Sequence, residues 1–362
     1  LSDTDITYDQ EEEEETGMRP VNIRRIGAGV LALAGATALS LVLMNSREAH
    51  GQTEAQTGAE IRQAASTMAA DRPTAAQWKA MGKQFSFQDQ SVFYIDLGAG
   101  SATLAIHGYP TSSWDFRLIA EKLGQRSRFV ALDLPGFGYS GKSDQASYTI
   151  VRQADAVSAL AAHLGVNRVR LIGSDIGVAV VQELMSRERA QALPYEIESV
   201  VLINGSLFAD QFKPSASQTA LLSPLGGLVN RRASEEAVMS GLIQITGPER
   251  RIPESEFLEV WKLLNHPGES RLLHKTLPTV AERKESEPRW TEALCESTMP
   301  LMLVVGLSDP TAGKDMVTAT EARCKGSRRF QSLQLDRAGH FPHLEYAEET
   351  AQGILAWSEG GY

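Results

Sequence analysis

From about residue 90 the apolar residues of this chain gather into short uninterrupted runs, at 92–95, 102–106, 128–132, 168–172 and 199–203, each bounded by Gly, Pro, Ser or charged residues. Runs of that length predict strands, and their lack of polar alternation predicts strands covered on both faces. Between them, 114–123, 149–164 and 177–187 place apolar residues at helical spacing. Strands alternating with helices imply an α/β protein with a mostly parallel, doubly wound sheet. The alternation stops at 206–299, where helical stretches such as 254–264 occur without a convincing strand. It resumes with strands at 301–305 and 330–335 and a helix at 347–357. A helical insertion between two sheet strands is expected to cap the carboxyl ends of the strands, where open α/β sheets hold their ligands. The expected organisation is a core of residues 85–205 and 300–362 with a helical cap at 206–299.

The pattern before residue 85 is different. Residues 1–17 hold Asp3, Asp5, Asp9 and Glu11 through Glu15 without a Lys or Arg, so 1–25 reads as an acidic, solvated and disordered tail. Residues 26–44 are uncharged and rich in Leu, Ala and Val, and Arg19, Arg24 and Arg25 precede them. A helix of that length matches the ~30 Å hydrocarbon core of a bilayer. The expectation is a single-pass signal anchor with the catalytic domain on the non-cytoplasmic side; the alternative is a cleaved secretory signal. Residues 45–84 read as a stalk that turns helical near 75–81.

Charge and cysteine content narrow the chemistry. The acidic tail carries −8 of the net −10, which leaves −2 for the rest, so no basic face for nucleic acid is expected. Cys295 and Cys324 fall in different predicted elements, and free buried thiols are expected rather than a bond. No Cys/His spacing suggests a metal, and the glycine spacing of Gly136 and Gly138 is not that of a dinucleotide or phosphate loop, so neither metal nor cofactor is expected. The expected partner is a small-molecule substrate.

Candidate chemistry falls at the predicted strand ends. Gly173-Ser174-Asp175-Ile176-Gly177 joins a strand to a helix. A sharp turn of this kind needs small residues two places to either side of its centre. Asp175 has Gly173 and Gly177 there, whereas Ser174 would have Ile172 and Ile176, so a carboxylate is expected as nucleophile. His340, after the last strand, is the candidate general base. Asp309, after the strand that follows the cap, is the candidate that orients it, with Asp315 a weaker one. The backbone N–H groups of Tyr109 and Ile176 are the candidate oxyanion hole. His107, Asp133 and His343 are expected to be structural. The order nucleophile, acid, base is that of the α/β-hydrolases.

These residues resemble the α/β-hydrolase superfamily, in the aspartate-nucleophile branch of epoxide hydrolases and haloalkane dehalogenases, over about residues 90–360. The carriers are His107-Gly108-Tyr109-Pro110 and the longer string through Thr111-Ser112-Ser113. The resemblance implies an alkyl-enzyme ester on Asp175 and its hydrolysis by water that His340 activates. Two departures stand out. Haloalkane dehalogenases usually hold the halide with a Trp and an Asn where this chain has Ile176 and Tyr109, and epoxide hydrolases use two cap tyrosines, of which residues 206–299 contain none. Trp261, Trp290, His266 and His274 are the cap residues that could take over the leaving group, or simply pack.

Overall fold

Two antiparallel strands, β1 (Lys83–Phe87) and β2 (Gln90–Leu97), open the sheet. The strands β3 (Ala102–Ile106), β4 (Arg128–Leu132), β5 (Arg168–Ser174), β6 (Glu196–Ile203), β7 (Leu301–Gly306) and β8 (Gln331–Leu335) continue it. They pair in the order β1-β2-β4-β3-β5-β6-β7-β8, parallel everywhere except at β1–β2 and β2–β4. This is the α/β architecture with a mostly parallel sheet that the strand–helix alternation predicts. The computed structural model describes residues 72–249, 252–268, 271–311, 313–325 and 330–360. The expected tail at 1–25 and apolar segment at 26–44 lie outside the described residues. Among the described residues no helix is long and apolar enough to cross a membrane.

The compact unit that contains the sheet begins at Arg72, so residues 72–84 correct the expected end of the stalk. Helix α1 (Ala75–Met81) starts at a Thr74 capping box and buries Trp78, whose indole N–H donates to Ser113 Oγ at 3.0 Å. Burial of one large aromatic offsets part of the cost of ordering a short helix. The helix was expected near 75–81, but the burial of Trp78 was not, because one Trp in a polar stretch has no period.

The helices α2 (Arg117–Gly124), α3 (Ile150–His163) and α4 (Ile176–Arg189) link successive strands. All ten residues from Ile176 to Met185 are buried. A helix buried on nearly every side belongs inside a core, and this one lies between the sheet and later helices, with Gln182 and Glu183 hydrogen-bonded. Between β6 and β7 the described residues form α5 (Ala216–Leu221), α6 (Gly226–Arg232), α7 (Glu235–Gln244), α8 (Glu254–Leu264), α9 (Leu273–Thr276) and α10 (Val280–Glu296). After β7 come α11 (Met316–Cys324), α12 (Pro342–Glu345) and α13 (Ala347–Glu359).

The expectation of free thiols is wrong. Cys295 near the end of α10 and Cys324 at the end of α11 are disulfide-bonded, with Cα atoms 4.9 Å apart. The two helix ends are brought together by packing around β7, a proximity that lies outside any local pattern.

Candidate active site

Asp175 sits between β5 and α4 with φ 52° and ψ −111°, a region that residues with a Cβ rarely occupy. The surroundings leave no room to relax it. A Cβ on Gly173 would lie 2.5 Å from the Gly177 carbonyl oxygen, and one on Gly177 would lie 2.2 Å from the Ile106 carbonyl oxygen. The Asp175 N–H donates to the Asn204 carbonyl at 2.7 Å, and a Cβ on Gly205, just after β6, would lie 2.8 Å from the Asp175 carbonyl oxygen. Strain held in this way is a mark of functional positions. The side chain remains 24% exposed, enough for a substrate to reach.

The loop after β3 supplies the first polar contact. The Tyr109 N–H donates to Asp175 Oδ2 at 2.7 Å. The Ile176 N–H opens α4, where helix geometry offers it no partner within the helix. Burial first, and then the Asp175 charge, push the Tyr109 phenol above its ordinary pKa. Its hydroxyl donates to the Leu273 carbonyl at 3.3 Å. His107 braces this loop. Its Nε2 accepts the Leu134 N–H at 3.0 Å, so its Nδ1 carries the proton and donates to the Gly108 carbonyl at 2.8 Å. Burial holds the His107 pKa down at about 4. Asp133 is likewise structural, accepting the N–H groups of Ser113 and Tyr139 at 2.8 and 2.7 Å.

His340 lies 3.8 Å from Asp175 Oδ1 through its Nε2, and 3.0 Å from Asp309 Oδ2 through its Nδ1. The carboxylate can only accept, so Nδ1 carries a proton and Nε2 faces Asp175. Burial pushes the His340 pKa down, but the Asp309 charge and hydrogen bond, then the Asp175 and Glu345 charges, outweigh it and raise the pKa to about 9. Asp309 is buried, which raises its pKa, yet His340 and Thr311 together hold it below the ordinary range. Asp315 is exposed, and the carboxylate on His340 Nδ1 is Asp309 instead. His343 has no hydrogen-bond partner on either ring nitrogen; it stacks on Phe116, and burial takes its pKa to about 3.

Several supports were not read from the sequence. Thr311 donates its N–H and hydroxyl to Asp309 Oδ1 at 2.9 and 2.7 Å, and its Oγ1 lies 3.2 Å from His340 Nδ1. Asn204 ties the Gly339 carbonyl to the Gly306 N–H. Glu345 accepts the N–H groups of Gly247, Gly339 and Phe341, which fixes the loop that carries His340. The Thr two places after Asp309 was the one available signal, since Asp-x-Thr is a common turn brace.

Of the four residues expected to handle a leaving group, Trp290 is already committed: its indole N–H donates to Glu183 Oε2 at 2.8 Å. His266 packs edge-on against Tyr139 with centroids 5.1 Å apart, and Trp261 lies under the Arg271 guanidinium at 5.0 Å. His274 lies against Gly226 and Gly227, with its Nδ1 lacking a partner. Among the described residues no group of His, Cys, Asp and Glu could hold a metal ion.

A model of the alpha/beta hydrolase family matches residues 104–352. The chain is similar to the mesoderm-specific transcript homolog protein of Homo sapiens, at 32% identity over 75% of this chain and 84% of that protein. It is also similar to a haloalkane dehalogenase of Agrobacterium fabrum, at 27% identity over 73% of this chain and 86% of that one. Among solved structures, the epoxide hydrolase CorEH matches with a TM-score of 0.63, covering 77% of this chain and 98% of its own. At 17% identity that last likeness concerns the fold alone.

Proposed function

Since the chain belongs to the alpha/beta hydrolase family and is a hydrolase, we propose that it opens small apolar epoxides, or closely related alkylating substrates, through an ester on Asp175. The observation that carries this reading is the facing pair: a carboxylate on a strained turn, with the Nε2 of an Asp-oriented histidine 3.8 Å from it. A carboxylate nucleophile suits attack at an sp3 carbon, because attack on a carboxylic ester would give a labile anhydride.

The first step is displacement. One Asp175 oxygen attacks the carbon while the other stays on the Tyr109 N–H, which keeps the carboxylate aimed. In the second step water attacks the ester carbonyl, and the oxyanion rests on the Tyr109 and Ile176 amides. His340 must be neutral to activate that water. The pKa of about 9 in the free enzyme owes part of its rise to the Asp175 charge. Ester formation removes that charge, so the base becomes available only once there is an ester to hydrolyse.

The second reading is a dehalogenase with unusual halide ligands. It shares the ester, and release of halide from chloro- or bromoalkanes distinguishes it. A non-catalytic scaffold that keeps the fold would have no use for the Thr311 and Glu345 bracing. We also propose residues 26–44 as a membrane anchor; full release of the intact chain by alkaline extraction would defeat it. The central test is His340→Gln treated with epoxides and haloalkanes. An alkyl mass adduct should accumulate on the peptide that contains Asp175, with turnover about 10²–10⁴-fold lower. Absence of any adduct, with the wild type inert as well, would overturn the reading.

A further inference from the structure

The helices between β6 and β7 lack tyrosine, so the opening of a strained C–O bond has no phenol there to receive the charge. They do supply a cation. Arg283, in the first turn of α10, is 3% exposed, and no carboxylate hydrogen-bonds it. Its Nη1 makes one long bond, 3.4 Å, to the Ser206 carbonyl, and its Nε has no partner at all. Its guanidinium carbon lies 4.6 Å from the centre of the Phe212 ring. A buried guanidinium normally saturates its five donors or sits against a carboxylate, because leaving it otherwise is costly. Here the donors are held back.

The position of Arg283 suggests what they are held for. Ser206, which the guanidinium touches, follows Gly205, and Gly205 packs against the Asp175 carbonyl. Arg283 is thereby brought from the inserted helices to the neighbourhood of the nucleophile. The electrostatics agree: burial depresses the Arg283 pKa, and the foremost charge opposing that is Asp175, ahead of its neighbour Glu282. Asp175 is thus the carboxylate whose charge this arginine senses most, and that charge is lost when the ester forms.

We propose that Arg283 is a catalytic residue of the proposed reaction, whose free guanidinium N–H groups hold the anionic oxygen or halide that departs as Asp175 is alkylated. The inference rests on the ester mechanism and names the leaving-group device that mechanism otherwise lacks. For an epoxide the step balances as follows. An Asp175 oxygen bonds to carbon as the carbon–oxygen bond of the ring breaks, and the electron pair leaves with the ring oxygen. Arg283 keeps its proton and holds the alkoxide. The alkoxide then takes a proton passed through water from the His340 imidazolium, which leaves the neutral imidazole that the hydrolytic step requires. In this way the negative charge moves from Asp175 to an oxygen still next to the same cation.

The test uses the full chain in the His340→Gln background, where the ester accumulates and its formation can be timed by mass spectrometry. Substrates should react at equivalent carbons with leaving groups running from iodide through chloride to epoxide oxygen. Arg283→Met should slow ester formation about 10²–10³-fold for the epoxide and far less for iodide, and Arg283→Lys should recover part of the loss. A merely structural role would slow every leaving group alike. Equal slowing across the series, or none, overturns the proposal while the ester on Asp175 persists. An absent ester with Arg283 intact overturns the mechanism and this role together. Should Arg283→Met not fold, Arg283→Gln read over the same series decides, and melting temperature confirms which variants are native.

Discussion

Replacing Asp175 with Asn removes one charge and almost no volume, and so imitates the neutral ester while leaving the turn intact. Asn tolerates positive φ better than most residues, and its carbonyl can still accept the Tyr109 N–H. The size of the effect on His340 follows from the 3.8 Å between Nε2 and Oδ1. Coulomb's law at that separation gives about 4 kcal/mol at an effective dielectric of 20 and about 1 kcal/mol in bulk water. Asp175 is 24% exposed, so the true value lies between these limits. At about 1.4 kcal/mol per unit, the His340 pKa should fall from about 9 by about 1–3 units. The assay is an NMR titration of the imidazole ring in wild type and Asp175→Asn. The sign is definite: losing a neighbouring negative charge can only favour the neutral ring. A His340 titration that does not move would refute the claim that ester formation frees the base, even if both residues proved essential.

Three further outcomes follow from the packing. Gly108→Ala would place a Cβ 2.7 Å from the Asp175 Cβ; it should cost about 1–3 kcal/mol of stability and displace the carboxylate, read as a lower denaturation midpoint together with lost turnover. The Cys295–Cys324 bond spans 29 residues, so converting both to Ala should lower unfolding free energy by about 3–4 kcal/mol, seen as a shifted urea midpoint; a midpoint that also ignores reductant would contradict the bond. His343 is fully buried, with its pKa held at about 3 against 6.5 when unfolded. Folding therefore excludes a proton there, and the stability that goes with it is present above pH 6.5 and lost as pH falls toward the folded value. His343→Phe should stabilise the chain by about 2 kcal/mol more at pH 5 than at pH 8, and a gain independent of pH would remove this account.

Much of the molecule was legible because its information is local. Short apolar runs bounded by turn residues and rich in β-branched side chains, such as Val200-Val201-Leu202-Ile203, point to strands buried on both faces, and all four are buried in β6. Gly173 and Gly177 identified the centre of the turn because their missing Cβ atoms are a steric demand that two residue positions express. Trp78 was not legible, since a single aromatic has no period and its partner Ser113 is 35 residues away. The disulfide was missed for the same reason. Arg283 was hidden more thoroughly, in a run of charges, Glu282-Arg283-Lys284-Glu285, that reads as a solvated helix face.

What the residues determined by themselves was the strands from β2 onward, the turn that bears Asp175, and the chemical types placed after β3, β5, β7 and β8, because each follows from backbone sterics or periodicity within a few positions. Distances were left to the tertiary structure: 3.0 Å from Asp309 to His340, 3.8 Å from His340 to Asp175, and a guanidinium next to the strand end beside the nucleophile. Those depend on how helices far apart in the chain pack against one sheet, and long-range packing leaves no periodic trace in the order of the residues.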